Sequence, residues 1–279
     1  MMEMIPSSLD VEIIQRFHGR FDVPGNAKII ADAIRSSESR LLIFPEMFIT
    51  GYTLGSEIRH YAMDPGNEVF GELKDLAAEH GKHLIFGFPE SSNDIKGQIF
   101  NSAMIMGPEG VVGTYRKMHL VDFGPFEEWA YFTPGNAPFM FSIDQWKIGV
   151  IICYDIFFPE LVKHYALNGA DLVVCISASP SLTRKYFELV MKARAVENTI
   201  YFAYSNMVGF DSRMDFWGGG ELIDPRGNTI AKGPYFEEAS VSARIDEDLL
   251  RSARASRPTL RDTKPHISEF ISEWGHGSR

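Results

Sequence analysis

Short apolar runs alternate along the chain with segments whose apolar positions repeat at the period of a helix. Runs without polar alternation are typical of strands buried on both faces, and they predict strands at residues 41–44, 84–88, 148–153, 171–177 and 199–206. The helix-period segments predict helices at residues 26–39, 68–81, 159–169 and 183–198. Strands that alternate with helices in this way indicate an α/β fold.

Two predicted hairpins interrupt this alternation. Residues 99–106 and 111–117 are predicted strands joined by GPEG, whose proline and glycines favour a turn. Residues 218–233 predict a second hairpin around the sequence DPRG. We therefore expect a mixed sheet system with helices outside it.

The composition is that of an ordinary globular protein, with 45% hydrophobic and 23% charged residues among 279. The formal net charge of −10, without a basic cluster, argues against nucleic acid or an anionic membrane as a partner. Two cysteines are too few for a disulfide framework and favour a reducing, cytoplasmic setting. We expect neither a signal peptide nor a membrane helix, since no apolar run reaches roughly 18 residues.

Cys153 follows the apolar strand of GVIICYDIFFPE, where the chain turns before a helix that begins near Pro159. Open α/β sheets place reacting groups at the carboxyl ends of strands, and a tight strand-to-helix turn exposes a nucleophile. The alternative is a core cysteine, because free cysteine is among the most buried residue types. Cys175, in the middle of a predicted strand, is an example of that alternative.

Two further sequences place an ionisable residue at the end of an apolar strand. Glu46 follows Pro45 in LLIFPEMFITGY, and burial there would make it a competent general base. Lys117 ends a hairpin strand in GTYRKMHLVD, where its positive charge could stabilise a thiolate or an oxyanion. A structural glutamate and a surface lysine remain the alternatives.

Together these sequences resemble the motifs of the nitrilase superfamily of carbon–nitrogen hydrolases. FPEMFITGY is similar to the motif around the family's catalytic glutamate, YRKMHL to that around its lysine, and GVIICYDIFFPE to that around its cysteine. The order and spacing of Glu46, Lys117 and Cys153 fit the family's Glu-Lys-Cys triad, and the resemblance covers roughly residues 11–256. It implies a four-layer αββα sandwich, with two sheets face to face and helices outside.

The resemblance also assigns roles to residues. Glu46 corresponds to the general base, Cys153 to the nucleophile that forms a thioester, and Lys117 to a group that stabilises the oxyanion. The backbone N–H of Tyr154 is implied as a second oxyanion donor. The family's second glutamate corresponds to Glu128, with the adjacent Glu127 as the alternative, and is expected to orient the lysine and position water. No metal and no organic cofactor are implied.

The activity implied is hydrolysis of a non-peptide C–N bond. Tyr154-Asp155 after the cysteine is typical of amidase-like branches, so the expected substrate is a small aliphatic amide, giving a carboxylic acid and ammonia. A nitrile or an N-carbamoyl compound is the alternative substrate. A catalytically inactive binding or scaffold homologue is the alternative outside enzymes, and the presence of all three catalytic residue types argues against it.

Residues 1–256 are expected to form the carbon–nitrogen hydrolase domain. Residues 257–279 lose the alternation and contain two prolines, so they are interpreted as a tail that packs on the domain or on a partner subunit. The resemblance implies a homodimer or a larger homo-oligomer. Gln15 is the candidate for the last residue of the family's first strand, with the register of that strand left open.

Other polar residues are interpreted as structural. His119 is expected to be a hydrogen-bonded structural histidine. Arg194 and Glu197, three residues apart on a predicted helix, share a face and are expected to form an ion pair. His80 and His83 flank a helix-breaking glycine without an evident third ligand, so a solvated helix end is favoured over a metal site.

Overall fold

The computed structural model describes residues 7–212 and 214–264, and the elements given below belong to these ranges. The strands are β1 (Ser8–Gln15), β2 (Leu41–Ile43), β3 (His83–Ser91), β4 (Ile99–Gly107), β5 (Gly110–Arg116), β6 (Phe139–Ile143), β7 (Trp146–Ile152), β8 (Leu172–Ser177), β9 (Tyr201–Asn206), β10 (Val208–Asp211), β11 (Met214–Trp217), β12 (Glu221–Ile223), β13 (Thr229–Lys232) and β14 (Ala239–Asp246).

The α-helices are α1 (Val23–Ser36), α2 (Ile58–Tyr61), α3 (Gly71–His80), α4 (Pro159–Leu167), α5 (Arg184–Asn198), α6 (Glu247–Ser256) and α7 (Thr259–Asp262). The helix predicted at residues 26–39 begins and ends earlier, because the Asp22 side chain accepts a hydrogen bond from Gly25 N (3.0 Å) and so caps the first turn. Within the described ranges, none of these helices combines the length and apolarity needed to cross a membrane.

Two six-stranded sheets organise the chain. Their strand orders are β14-β1-β2-β3-β4-β5 and β13-β12-β9-β8-β7-β6, while β10 and β11 form a separate hairpin. The centre of each sheet is parallel, in β1-β2-β3 and in β7-β8-β9. Parallel neighbours need crossover connections, and α1, α3, α4 and α5 supply them.

The two faces of β2 show how the layers stack. Leu41 and Ile43 belong to a core shared with residues of β7, β8 and β9, which lies between the sheets. Leu42 and Phe44 pack instead with residues of α1 and α3 on the outer face. Both faces are buried, which explains why these strands lack polar alternation. With α4 and α5 packed on the second sheet, the expected αββα sandwich is confirmed.

Four strands were not predicted: β6, β10, β11 and β14. They lie at sheet edges or in the separate hairpin, each contains exposed or partly exposed positions, and polar residues interrupt its pattern. β14, for example, reads ASVSARID, and only Ile245 is fully buried. The second predicted hairpin is present as β12 and β13, but it begins at Glu221 because three glycines precede that strand.

The register of the first strand follows from its pairing. Val11 and Ile13 stand beside Leu41 and Ile43 in the parallel pair of β1 and β2. Gln15 is the last residue of β1, and its side-chain Oε1 accepts a hydrogen bond from Gly220 N at 2.8 Å. The buried amide therefore joins the end of the first sheet to the glycine segment before β12.

Only residues 257–264 of the predicted tail belong to the described ranges. There α7 contacts α5 of the same chain. Leu260 packs against the same apolar core as Leu41 and Ile43. The rest of the predicted tail, residues 265–279, lies outside the described residues. The division of the chain after residue 256 and the docking of the tail on a partner therefore stay predictions.

Candidate active site

Cys153 directly follows β7 and begins a short 3₁₀-helix, Cys153–Phe157. Its φ of 49° lies in the left-handed region, which stores roughly 1–3 kcal/mol of strain in a residue other than glycine. The residue is buried, with 5% of its surface exposed, and it lines a cavity of about 300 Å³. The strand-to-helix turn therefore presents the thiol to a cavity.

A buried carboxylate, that of Asp155, holds this turn in place. Its Oδ2 accepts hydrogen bonds from Ile152 N (3.1 Å) and from the Tyr115 hydroxyl (2.8 Å). Its Oδ1 accepts from His119 N at 2.9 Å and lies 2.8 Å from His119 Nδ1. Tyr115 and His119 flank Lys117 in the chain, so Asp155 ties the cysteine turn to the segment that carries the lysine. His119 thus makes the hydrogen bonds expected of a structural histidine.

Arg194 holds the same turn from the helix side. Its Nε donates to Ile156 O at 2.8 Å, and its Nη1 donates to Glu197 Oε1 at 2.9 Å. The ion pair expected between Arg194 and Glu197 is therefore present. This pair holds the Arg194 guanidinium against the carbonyl oxygen of Ile156, three residues after Cys153.

Glu46 lies just after β2 and is fully buried. Its Oε1 accepts hydrogen bonds from Asn101 Nδ2 (2.7 Å) and Lys117 Nζ (3.0 Å). Its Oε2 accepts from Ala178 N at 2.7 Å. Because Ala178 follows β8 of the second sheet, the carboxylate connects the ends of strands from both sheets. The next residue, Met47, has a left-handed φ of 51°, so this turn is strained like that of Cys153.

Gly87 and Asn101 were not singled out by the sequence, although both shape the Glu46 turn. A Cβ on Gly87 would lie 2.0 Å from Met47 N and 2.7 Å from Glu46 Cα, so only glycine lets the turn cross β3. A glycine inside a strand pattern is a known sign of close backbone approach. An asparagine within the apolar run of β4 is likewise a sign, because a buried amide needs a partner.

Lys117 follows the last residue of β5 and has a fully buried side chain. Its Nζ lies 2.7 Å from Glu128 Oε1 and 3.0 Å from Glu46 Oε1. Burial lowers the pKa of Lys117, but the carboxylates of Glu128 and Glu46 outweigh burial and raise that pKa well above its ordinary value. The side chain is therefore a permanent ammonium between two carboxyl groups, and the surface alternative is wrong.

Glu128 lies in the 3₁₀-helix Glu128–Ala130 and is buried, whereas its neighbour Glu127 is exposed. Besides Lys117, its Oε1 accepts a hydrogen bond from the Tyr52 hydroxyl (2.8 Å), and its Oε2 accepts from Val121 N (3.0 Å). Burial raises the pKa of Glu128, although Lys117 opposes this shift. These contacts fix the carboxyl group against the ammonium.

The thiol of Cys153 responds to the same charges. Burial is the largest cause that raises the pKa of Cys153 well above its ordinary value, and the Glu46 carboxylate adds to it. Lys117 lowers this pKa by a smaller amount. Taken together these effects favour the protonated thiol, and a thiol of this kind becomes a nucleophile only when a base removes its proton.

Two cavities reach the residues of this site. The first, onto which Cys153 opens, is lined also by Val121, Phe123, Phe126, Tyr154, Phe157, Ser179, Leu182, Thr183, Tyr186 and Phe187. A second cavity of about 400 Å³ shares Phe126 with the first and reaches Glu128 and Tyr52. Tyr154 shares the first cavity with Cys153, and its N–H belongs to the peptide bond that joins the two residues.

The segment around His80 is a helix end. Gly81, with a φ of 63°, closes α3, and its N–H bonds to the carbonyl oxygens of Ala77 and Ala78. In the part of the chain that the structure describes, no group of three or more His, Cys, Asp and Glu side chains is arranged to hold a metal ion.

Comparisons with known proteins show which family the chain is similar to. The profile of the carbon–nitrogen hydrolase family matches residues 18–255. The 2-oxoglutaramate amidase of Bacillus subtilis is 32% identical over 83% of this chain and 88% of its own length. A nitrilase of Pyrococcus abyssi is 33% identical over 81% of this chain and 84% of its own.

A solved structure shows the same fold. The amidase from Nesterenkonia sp. AN1, in a variant with the acetamide moiety of fluoroacetamide added covalently at its active-site cysteine, superposes with a TM-score of 0.80. That chain is 26% identical, and the match covers 98% of this chain and 99% of the other. The motifs, the fold and these matches together show that the chain belongs to the carbon–nitrogen hydrolase family, within the nitrilase superfamily.

Proposed function

We propose that this protein hydrolyses the C–N bond of a small amide to a carboxylic acid and ammonia, with Cys153 as the nucleophile. The observation that carries the proposal is the buried contact of the Lys117 ammonium with the carboxyl groups of Glu46 and Glu128. The charges of these three groups shift the pKa of Cys153, whose thiol lines a cavity. Ionisable groups whose pKa values are shifted by burial and by specific charged partners, close to a cavity, are typical of active sites.

In the first step, Glu46 takes the thiol proton as the sulfur of Cys153 attacks the amide carbon. The raised pKa of Cys153 means that this proton is present at neutral pH. A new S–C bond forms, and the electron pair of the C=O bond moves onto oxygen. The hydrogen bonds from Asn101 Nδ2 and Ala178 N to the two oxygens of Glu46 hold this base in one orientation.

The oxygen that gains negative charge is met by the Lys117 ammonium and by the N–H of Tyr154. Preorganised donors of this kind act without reorganisation when the charge develops, and losing one typically lowers kcat about 100- to 1,000-fold. Glu128 accepts a hydrogen bond from Lys117 Nζ at 2.7 Å, so it orients the ammonium.

The intermediate collapses when the C–N bond breaks. The leaving nitrogen takes the proton held by Glu46, ammonia departs, and the acyl group remains on sulfur as a thioester. A water molecule then attacks the thioester carbon while Glu46 takes its proton. The C–S bond breaks, the carboxylic acid leaves, and the thiolate of Cys153 takes the proton back from Glu46. The second cavity, which reaches Glu128, offers a route for that water.

Nitrile hydrolysis is the second candidate, because a relative 33% identical is named a nitrilase. The amide is preferred because a relative 32% identical is named an amidase and because the solved neighbour carries an acetamide group on its cysteine. A nitrile substrate would add a hydration step before the thioester forms.

The test measures ammonia released from a panel of amides and nitriles by the wild type and by Cys153→Ala. We expect release from amides by the wild type alone, together with a mass increase of one acyl group on Cys153 in rapidly quenched samples. Hydrolysis of nitriles without hydrolysis of the matching amides would favour the second candidate. Release by Cys153→Ala at the wild-type rate would contradict both.

A cytoplasmic location and a homo-oligomeric state belong to the same proposal. Both cysteines are free thiols, which supports a reducing compartment. Tyr186 and Leu189, three residues apart on α5, are 50% and 73% exposed, and neighbouring exposed apolar side chains on one helix face support contact with another subunit. Light scattering on the purified protein tests the oligomer, which a monomer mass would contradict.

A further inference from the structure

Aromatic rings form most of the wall of the cavity onto which Cys153 opens. Tyr154 of the cysteine turn contacts Phe123 with ring centroids 5.4 Å apart and Phe157 with centroids 5.8 Å apart. Phe157 in turn contacts Phe187 of α5 at 5.1 Å. The rings thus form one connected wall that brackets the thiol, and such a wall favours apolar ligand groups.

The described lining residues present no polar surface to the cavity, so the hydroxyls of Tyr154 and Tyr186 do not contribute to it, and the hydroxyls of Ser179 and Thr183 are already used. The hydroxyls of Ser179 and Thr183 lie 2.6 Å apart, and the Thr183 hydroxyl donates to Pro180 O at 2.7 Å. Each hydroxyl has a single proton to donate, so with Thr183 bonded to Pro180, Ser179 donates to Thr183. Neither side chain keeps a donor for an anionic ligand.

Positive charge is also missing from the wall. Of the described residues that line the cavity, none carries a charged side chain, and the buried Lys117 is engaged by two carboxylates. Lys185 Nζ lies 5.0 Å from the ring centroid of Tyr186 at the rim. Lys185 is exposed, so water screens its charge and its attraction for an anion is weak.

We infer that this cavity binds the acyl group of the substrate and selects uncharged, apolar acyl groups, branched aliphatic or aromatic, over acyl groups that end in a carboxylate. The inference rests on the proposed amide hydrolysis. A volume of about 300 Å³ is at the small end for ligand cavities, which suits one ring or a short branched chain. A carboxylate in this wall would lose its water without gaining a donor or a cation.

This selectivity separates the protein from one of its relatives. The 2-oxoglutaramate amidase, 32% identical, is named for an amide that carries a carboxylate at the far end of its acyl group. The same catalytic residues can serve both substrates, because the distinction depends on the acyl cavity alone.

The first experiment compares kcat/KM for phenylacetamide and isovaleramide with kcat/KM for succinamate. We expect the two apolar amides to be favoured by at least about 100-fold, the scale of an uncompensated polar group in an apolar site. Equal or greater kcat/KM for succinamate would overturn the inference.

A variant should move this selectivity. Phe123 is 54% exposed at the cavity, so Phe123→Arg adds a cation without emptying the core. We expect Phe123→Arg to reduce the preference for apolar amides at least about tenfold, the scale of one added ionic contact. Ile95→Arg, at a residue 59% exposed and absent from the cavity wall, is the matched control and should leave the preference unchanged.

Lys185→Gln tests the rim. The exposed ammonium should contribute nothing to selection, so the ratio of kcat/KM values should stay within a factor of two of the wild type. A specific loss of succinamate hydrolysis in this variant would overturn the inference, because it would show that Lys185 recruits a carboxylate.

Binding to Cys153→Ala separates this inference from the proposed function. Titration calorimetry with phenylacetamide should show binding, and titration with succinamate should show none. If no amide is hydrolysed by the wild type but this binding pattern holds, the proposed function fails and the cavity inference stands. Tighter binding of succinamate overturns the inference whatever the turnover.

Discussion

The two cysteines of the chain are both buried, but they differ in backbone conformation and in access to a cavity. Cys153 and Cys175 belong to neighbouring strand segments, with Cys175 paired to Ile151 in the parallel register of β7 and β8. Both are free and buried, and burial is the largest cause that raises the pKa of each thiol. A raised pKa therefore does not identify the nucleophile.

Position separates the two thiols. Cys175 lies within β8, with no surface exposed, in the apolar core that Cys153 also borders. Cys153 lies one residue past the end of its strand, in a left-handed conformation, and lines a cavity beside the charges of Glu46 and Lys117. The comparison teaches that a buried residue can reach a cavity when it lies at the carboxyl end of a parallel strand, where the chain leaves the sheet.

The largest test of this comparison replaces each cysteine with alanine. Cys153→Ala should lower kcat by about 10,000-fold or more, since the covalent route is lost. Cys175→Ala should keep kcat within a few-fold and lower the free energy of unfolding by about 1 kcal/mol, through a small cavity. Ammonia release and urea unfolding measure the two quantities. Loss of activity in both variants with both still folded would remove the distinction.

A second test removes the positive charge of Lys117, which acts on Cys153 and distinguishes it from Cys175. Lys117→Met should lower kcat about 100- to 1,000-fold through the loss of an oxyanion donor. It should also lower the free energy of unfolding by about 3–5 kcal/mol, because two buried carboxylates lose their cation.

The matched control for Lys117 is another buried lysine. Lys82 Nζ donates to Ser37 O and Ser39 O, both at 2.8 Å. Unlike Lys117, it does not contact the carboxyl groups of the active site. Lys82→Met should lower the free energy of unfolding while leaving kcat near the wild-type value. Equal losses of kcat in the two variants would mean that Lys117 acts only through stability.

The third test loosens the turn that presents Cys153. Asp155→Asn keeps the size of the side chain but replaces one of two carboxylate oxygens, each of which has two hydrogen-bonding partners. We expect kcat to fall about 100-fold with little change in KM, as for a nucleophile misplaced by about 1 Å. Asp171→Asn, at a partly exposed residue that bonds Lys147 N, is the control. An unchanged kcat in Asp155→Asn would show that the turn holds without this carboxylate.

The smallest test follows the alkylation of both thiols by iodoacetamide between pH 6 and 9. In the wild type, the proton of Cys153 moves to Glu46 within the site, so the labelling rate should vary little with pH. In Glu46→Gln the proton must go to solvent. The pKa of Cys153 stays above this range through burial, so the thiolate fraction and the rate should rise about tenfold per pH unit.

Cys175 serves as the internal control of that experiment, because it faces no cavity and should remain unlabelled in the folded protein at every pH. Peptide mass spectrometry measures both sites in one sample. Parallel pH profiles for the wild type and Glu46→Gln would contradict the assignment of Glu46 as the base.

The sequence by itself determined the central strands, the helices that connect them and the strand-end positions of Glu46, Lys117 and Cys153. These features are local, because hydrophobic period and turn residues act over a few neighbouring positions. Motif order added the family and its four layers. The same local evidence left a core cysteine and a surface lysine open, since spacing along a chain gives no distance in space.

Only the tertiary structure decided how the residues meet. It selected Glu128 rather than Glu127, since one carboxyl group turns inward to Lys117 and the other is exposed. It placed Gly87 under the Glu46 turn and closed the cavity with rings from three separate segments. These contacts join residues far apart in the chain, and their energies depend on distance and burial, which arise only when the two sheets pack.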